Sequence, residues 1–318
     1  MSKILLVGAG PMALNYAKVL KALGVEATVV GRGEDSAARI ETTCGIPVFT
    51  GGIEKWLSQN KDIPRQAIVA VNESALGIVA ILLIEHGVKF ALVEKPGAAT
   101  PEELNQVFYK ATEKDSKVYV GYNRRFYSSV QKAKEIIKKD GGVVSFNFEF
   151  TEWSHIIKDL HKEPETKANW FFHNSTHVID LAFYLGGRPR EISCYTAGGL
   201  DWHPTASIFS GAGISENGAL FSYQANWDAP GRWGVEVLTR KHRLIFRPLE
   251  KLQIQKIGSV AIDYLDVEDK LDTEFKPGLF RQTEAFIQGK KSELVEMREQ
   301  MENTRYYQMI NNGRINSI

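Results

Sequence analysis

The chain has 318 residues, more than one compact core usually holds, so two domains are expected. Lys and Arg number 39 against 38 for Asp and Glu, a net charge of +1, which gives no electrostatic case for nucleic acid or an anionic membrane and points to a small-molecule partner. Cys44 and Cys194 stand far apart and in no metal-ligand spacing, and no run reads as a signal peptide or a membrane span; a cytoplasmic protein without disulfides is the expectation.

The organising stretch is Ser2 to Pro11. Lys3-Ile4-Leu5-Leu6-Val7 is an apolar run without alternation, which suits a strand buried on both faces, and it ends at once in Gly8-Ala9-Gly10. Beyond Pro11 the period changes: Ala13, Tyr16, Ala17 and Leu20 share one helical face, and Gly24 marks the stop. Strand, glycine turn and helix form the opening of a dinucleotide-binding unit. Gly8 permits the tight turn, Gly10 lets backbone approach a pyrophosphate, and Ala13 takes the third place of G-x-G-x-x-[GA]. Pro11 and Met12 begin the helix whose amides would face the phosphates.

A second strand, Glu26 to Val30, leads into Gly31-Arg32-Gly33, with Ser36 close behind. NAD enzymes usually place a carboxylate at this point for the ribose 2′-hydroxyl, so Gly31, Arg32 and Ser36 favour a 2′-phosphate and NADP over NAD. The alternative is that Arg32 is a solvated loop residue and Glu34 or Asp35 binds the ribose. Ile46 to Thr50 is a short third strand and Ile53 to Leu57 starts a helix. Gln66 to Val71 is the fourth strand, followed by Asn72-Glu73-Ser74 and an apolar helix from Ala75 to Glu85. Phe90 to Val93 is a fifth buried strand running into Glu94-Lys95-Pro96, where a cis bond before Pro96 is expected. Thr100, Pro101 and Glu103 have capping-box spacing for the next helix, and Val118 to Gly121 makes a sixth strand. Such alternation specifies a doubly wound parallel sheet, whose ligands lie beyond the carboxyl ends of its strands. Asn72, Glu94, Lys95 and Tyr122 to Arg125 fall there.

The N-terminal glycine turn, Glu94-Lys95-Pro96, Gly121-Tyr122-Asn123-Arg124-Arg125-Phe126 and, later, His177-Val178-Ile179-Asp180 occur in that order. Together they resemble the glucose-fructose oxidoreductase, inositol dehydrogenase and rhizopine-catabolism (Gfo/Idh/MocA) family over nearly the whole chain. The resemblance implies a Rossmann domain (residues 1–125) followed by an α+β domain (126–318) with an open, mostly antiparallel sheet. It implies a nicotinamide cofactor and a sugar, cyclitol or nucleotide-linked sugar as substrate, and pairing of two open sheets into a homodimer or a dimer of dimers. Carried onto this chain, it makes Lys95 and His177 catalytic, with His173 beside them. Places at the strand ends add Asn72, Glu94, Lys95 and Asn123 to the expected cofactor contacts, and the expected substrate contacts are Lys95, Tyr122, Arg125, His173, Asn174, His177 and, from the aromatic segment described below, Trp170.

After Phe126 a helix to about Lys139 and the pair Gly141-Gly142 mark the domain change. Val144, Phe146, Phe148 and Phe150 then alternate with polar residues, and Phe221, Tyr223, Ala225 and Trp227 repeat the pattern of a two-faced sheet. Further strands are expected near Glu191 to Ala197, Val235 to Thr239, Arg243 to Phe246 and Leu252 to Lys256. A helix from about Ser175 to Leu185 covers one face; Arg281 to Gln288 and Leu294 to Asn311 form a last helical stretch expected to return against the first domain. Trp153 to Phe172, with His155, His161 and Trp170, reads either as a loop and short helix over the substrate or as a surface excursion.

At His173-Asn174-Ser175-Thr176-His177 the chain departs from the family, which has Asp four residues before the catalytic His; here that place is His173. A histidine pair at i, i+4 is also a metal-binding spacing, but no third ligand is near in sequence and no metal is expected. Asp180 is either the family's downstream Asp in function or a structural residue. Two functions stand: an NAD(P)-dependent oxidoreductase on CH–OH groups, and a non-catalytic NAD(P)-binding regulator of the same fold.

Overall fold

Ile4–Val7 (β1) is buried at every position, as a strand covered on both faces must be. In the computed structural model, which describes residues 3–313, β1 pairs in parallel with β2 (Ala27–Val30) on one side. On its other side it pairs in parallel with the fourth strand of the chain. With β3 (Val48–Phe49), β4 (Gln66–Val69), β5 (Phe90–Glu94) and β6 (Lys117–Gly121), the order is β6-β5-β4-β1-β2-β3, all parallel. The reversal beside β1 is the doubly wound pattern. The helices between strands are α1 (Pro11–Ala22), α2 (Glu34–Cys44), α3 (Ile53–Gln59), α4 (Leu76–Glu85) and α5 (Pro101–Glu113). Thr100 caps α5, its side chain accepting from the Glu103 amide, and Glu103 reaches back one residue beyond the cap to accept from the Ala99 amide. β3 is shorter than expected; Pro47, just before it, has no N–H to pair.

This sheet belongs to a unit made of Met1–Asn123 and Leu271–Glu302; a second unit holds Arg124–Lys270 and Asn303–Ile318. The change therefore falls ahead of the Gly141-Gly142 pair. The helix Ser128–Asp140 belongs to the second unit, where Ser129 donates to the Leu249 carbonyl at 2.8 Å and Asp140 accepts from Thr239 at 2.7 Å. In the first unit the edge of β6 carries Val295–Glu296 as an antiparallel strand, a stretch expected as helix. The helix Leu279–Ile287 also lies in this unit, with Gln282 donating to Tyr16 at 3.0 Å. The last helix, Met297–Asn312, does not simply return to the first domain: it is divided after Glu302, and Tyr307 and Ile310 are buried in the second unit's core.

The second sheet is built from β7 (Ser145–Glu149), β8 (Pro189–Ala197), β9 (Ile208–Ser215), β10 (Leu220–Asn226), β11 (Gly234–Leu238), β12 (His242–Phe246), β13 (Gln253–Lys256) and β14 (Asp263–Tyr264). Its order is β14-β13-β12-β11-β7-β10-β9-β8, antiparallel except between β7 and β10. Alternation decides its faces: Phe146, Phe148, Phe221 and Tyr223 point into the core, and Ser222 and Gln224 are exposed. The helix Thr176–Gly186 covers the apolar face, with Phe183 edge-on to Phe146 and Phe221. β9 was not foreseen. Phe209 enters the core, but the next two inward positions are Gly211 and Gly213, because a β-carbon there would stand 2.4 Å from the Tyr223 ring and 2.6 Å from the Phe221 ring. Among the described residues no helix is long and apolar enough to cross a membrane, and both cysteines are buried and unbridged.

Candidate functional site

The glycine turn is enforced by sterics. Gly8 has φ +122°, and a β-carbon there would lie 2.1 Å from the Ala70 carbonyl oxygen. At Gly31 it would lie 2.6 Å from the Ala9 β-carbon, so the ends of β1 and β2 approach too closely for any side chain. Gly10, by contrast, faces open space. It precedes α1 without offering a side-chain cap, and Pro11 takes the first turn, so amides at that helix start remain available to a ligand. Pro11 is exposed and Met12 half-buried. At the end of β2, Arg32 is exposed, and Ser36 donates to the Gly33 carbonyl at 3.0 Å. Glu34 and Asp35 occupy the first turn of α2, where they complement the helix dipole. Asn72 is exposed just beyond β4. A cradle open above Gly10 and closed at Gly8 and Gly31 fits a dinucleotide.

Glu94, at the carboxyl end of β5, is turned inward. Tyr16 of α1 donates to it at 2.6 Å, and Gln282 donates to Tyr16 at 3.0 Å. Gly121 of β6 leaves the room: a β-carbon there would meet the Glu94 carboxylate at 3.2 Å and the Tyr16 hydroxyl at 3.4 Å. Burial raises the Glu94 carboxyl above its ordinary value against the pull of Tyr16 and Lys95, and burial next to Glu94 raises the Tyr16 phenol further above its own. Lys95 follows, and its bond to Pro96 is cis. Gln300 donates to the Pro96 carbonyl at 3.0 Å and to the Tyr122 hydroxyl at 3.1 Å, tying the turn after β5 to the turn after β6. Asn123 donates to the Pro277 carbonyl at 2.8 Å. Sequence reasoning missed Gln282 and Gln300, and saw Tyr16 only as one apolar member of a helix face.

In the second unit Phe171–Ser175 forms a π turn running into Thr176–Gly186. His173 is buried in that turn and His177 in the first turn beyond it, so the two are not in plain α-helical i, i+4 register. Glu152, in the segment after β7 and almost wholly buried, holds the turn from outside: Asn174 donates to it at 3.0 Å and Ser175 at 2.7 Å. Arg232 lies 3.7 Å away. Burial raises the Glu152 carboxyl above its ordinary value; Ser175, Arg232, Trp170 and Asn174 oppose that in decreasing order. Arg125 donates to Asp180 in bidentate fashion, at 2.8 and 2.6 Å, with its guanidinium 4.6 Å over the Tyr184 ring. The guanidinium expected to contact substrate is thus bound to Asp180 inside the unit. The His177 ring lies 6.3 Å from the Trp233 ring. Trp170 meets Trp202 edge-on, and Trp202 donates to Ser154 at 3.3 Å. His155 and His161 are exposed. Among the described residues no three metal-ligating side chains come together.

Comparison with known proteins fits this geometry. A family model described as oxidoreductase family, NAD-binding Rossmann fold (GFO_IDH_MocA) matches residues 2–122. Over that segment the chain is similar to the Gfo/Idh/MocA oxidoreductase family. Levoglucosan dehydrogenase of Pseudarthrobacter phenanthrenivorans is 30% identical over 146 residues, 42% of this chain and 35% of that protein. The match therefore spans about a third of that relative's length. Two solved structures share the fold from end to end. UDP-N-acetylglucosamine 3-dehydrogenase GnnA from Acidithiobacillus ferrooxidans aligns over 98% of this chain and 96% of its own, with TM-score 0.75 and 14% identity. An Agrobacterium radiobacter oxidoreductase in complex with NAD+, L-tartaric acid and magnesium aligns over 96% and 94%, with TM-score 0.76 and 13% identity.

The raised Glu152 carboxyl makes a signed prediction. Its contribution to stability is full below the ordinary value of 4.5, where folded and unfolded chains are both protonated, and is lost as pH rises through the higher folded-state value. The uncharged Glu152→Gln variant should therefore gain stability relative to the wild type as pH rises from about 4 to 7. Urea titrations across that range read the gap. A gap that is flat, or that moves the other way, contradicts the direction given to Glu152.

Proposed function

We propose that this protein is an NAD(P)-dependent oxidoreductase acting on a CH–OH or keto carbon of a sugar, cyclitol or nucleotide-linked sugar. The observation that carries this reading is the dinucleotide cradle at Gly8, Gly10 and Gly31 together with Lys95 at the carboxyl end of β5, its neighbour Glu94 locked by Tyr16. The sugar dehydrogenases among its relatives support the substrate class. A bound nicotinamide supplies the hydride acceptor or donor. The chain's own residues handle the proton and the charge: the Lys95 ammonium stabilises an oxygen that becomes alkoxide-like, and His177 takes or returns the hydroxyl proton. His173, Asn174, Trp170 and Tyr122 orient the substrate, with Asn174 held through Glu152. Pro11 and Met12 at the start of α1, Asn72 beyond β4 and Asn123 beyond β6 serve the cofactor. Lys95→Ala and His177→Ala should each lower turnover by roughly two to four orders of magnitude with cofactor binding retained. Near-normal turnover in His177→Ala removes that role, and cofactor binding with no turnover on any sugar tested favours the non-catalytic regulator.

Arg32 in place of a carboxylate supports NADP over NAD. A charge-assisted contact from Arg32 to a 2′-phosphate stabilises binding by about 1.5–3 kcal/mol, so Arg32→Ala should weaken NADPH by about tenfold or more and leave NADH nearly unchanged. Equal losses for both cofactors in calorimetry would remove the assignment.

The outer face of the second sheet exposes Tyr195, Ile208 and Leu220 among polar residues. In this reading that face pairs with the same face of a second copy, giving a homodimer or a dimer of dimers. Light scattering at micromolar concentration should return at least twice the 35.6 kDa chain mass; a monomer mass contradicts it.

A further inference from the structure

Arg124 begins the second unit, one residue before the Arg125 that is bound to Asp180. Its guanidinium lies 4.8 Å over the Trp233 ring, and the Arg232 guanidinium lies 4.6 Å from the same ring. Arg232 is in turn 4.6 Å over Trp153, so cations and indoles alternate in the order Arg124, Trp233, Arg232, Trp153. Stacking on an indole attracts a guanidinium through the ring quadrupole but uses none of its N–H donors. Arg232 has a counter-charge in Glu152 at 3.7 Å. Among the described residues Arg124 has none: it makes no ion pair, and its Nε is buried without a hydrogen-bond partner. The Trp233 indole N–H is likewise buried without one. The buried Arg124 Nε and the buried Trp233 N–H are donors that each cost free energy unless an acceptor arrives from elsewhere. The His177 ring, 6.3 Å from Trp233, adjoins the same cluster.

We propose that the Arg124–Trp233–Arg232 cluster binds an anionic oxygen group of the substrate, a carboxylate or a phosphate, so that the substrate is an acidic or phosphorylated sugar rather than a neutral one. This rests on the reading of the protein as a sugar oxidoreductase and narrows its substrate. Every unused group here is a donor, which suits a ligand atom that only accepts. Guanidinium geometry matches carboxylate and phosphate through paired N–H bonds, which a neutral hydroxyl cannot reciprocate. Arg124 carries the weight of the argument because its neighbour Arg125 is not available for the same task.

The test is a binding measurement on the full chain that needs no turnover. Saturation-transfer NMR titrations compare glucuronate with its neutral methyl ester, and glucose 1-phosphate with methyl glucoside, which separates carboxylate from phosphate as the source of charge. At low salt one charged probe should bind about tenfold or more tighter than its neutral partner, with the gap narrowing in high salt. Arg124→Gln should close that gap while leaving the neutral probe unchanged, and Arg124→Lys should restore part of it; thermal melting of each variant checks the fold. Charged and neutral probes binding alike, no binding of either charged probe, or a gap that survives both Arg124→Gln and Arg232→Gln each overturns the proposal. The two readings fail separately. Turnover of a neutral sugar without charge preference removes the anion site alone, whereas charge preference without turnover on any sugar removes the oxidoreductase reading and leaves the anion site.

Discussion

The second unit depends on the bidentate pair between Arg125 and Asp180. Both side chains are almost wholly buried, a position that costs several kcal/mol per ion unless geometry and hydrogen bonds compensate. Two parallel N–H bonds and the Tyr184 ring supply that compensation. The pair ties the first residues of the unit to the middle of the helix Thr176–Gly186, so the segment after β6 and the helix bearing His177 cannot move independently. It also orients its neighbours: with Arg125 committed inward, Arg124 is left to the Trp233 ring, and His177, one turn before Asp180, lies near the same indole.

Beside the Arg125–Asp180 pair, each unit keeps a buried carboxyl next to residues of the proposed site, Glu94 in the first and Glu152 in the second, and the two are satisfied in the same manner. Glu94 is bonded by Tyr16, itself supported by Gln282; Glu152 is bonded by Asn174 and Ser175, with Arg232 nearby. In each case burial raises the carboxyl and neutral donors offset part of the cost. In each case the carboxyl adjoins a residue proposed to act on the substrate: Lys95 follows Glu94 directly, and the residues bonded to Glu152 are the two between His173 and Thr176. Such polar anchors hold a turn in one geometry more strictly than apolar packing does.

The first unit was legible because its signals are local. A strand, a glycine turn and a helix follow within twenty residues, and each later strand ends in residues whose place at the carboxyl edge follows from topology alone. The second unit was legible where alternation carried large side chains, as in β7 and β10. It was not legible in β9, where Gly211 and Gly213 stand at two of the inward positions to make room for Tyr223 and Phe221 of β10. With Phe209 the one large side chain on that face, the strand has no hydrophobic period to detect. The residues of the proposed site divide in the same way. Lys95 and His177 sit in motifs, whereas Gln282, Gln300 and Glu152 act across sequence separations that no local pattern encodes. Arg124 and Arg125 are adjacent in sequence, and only the position of Asp180 reveals which of the two is already engaged.

The substitution at His173 becomes intelligible in this setting. The resemblance puts a carboxylate at that place in the helix, and this chain has an imidazole there instead. The buried carboxyl of the region comes from Glu152, which reaches the residues flanking that place through Asn174 and Ser175. A second ionised carboxylate on the same turn would face Glu152 in surroundings where burial already disfavours the charge. A histidine avoids that repulsion, and the π turn accommodates its ring by widening the backbone at the residues Glu152 holds. In this chain His173 and the buried Glu152 carboxyl thus meet at one turn, joined through Asn174 and Ser175.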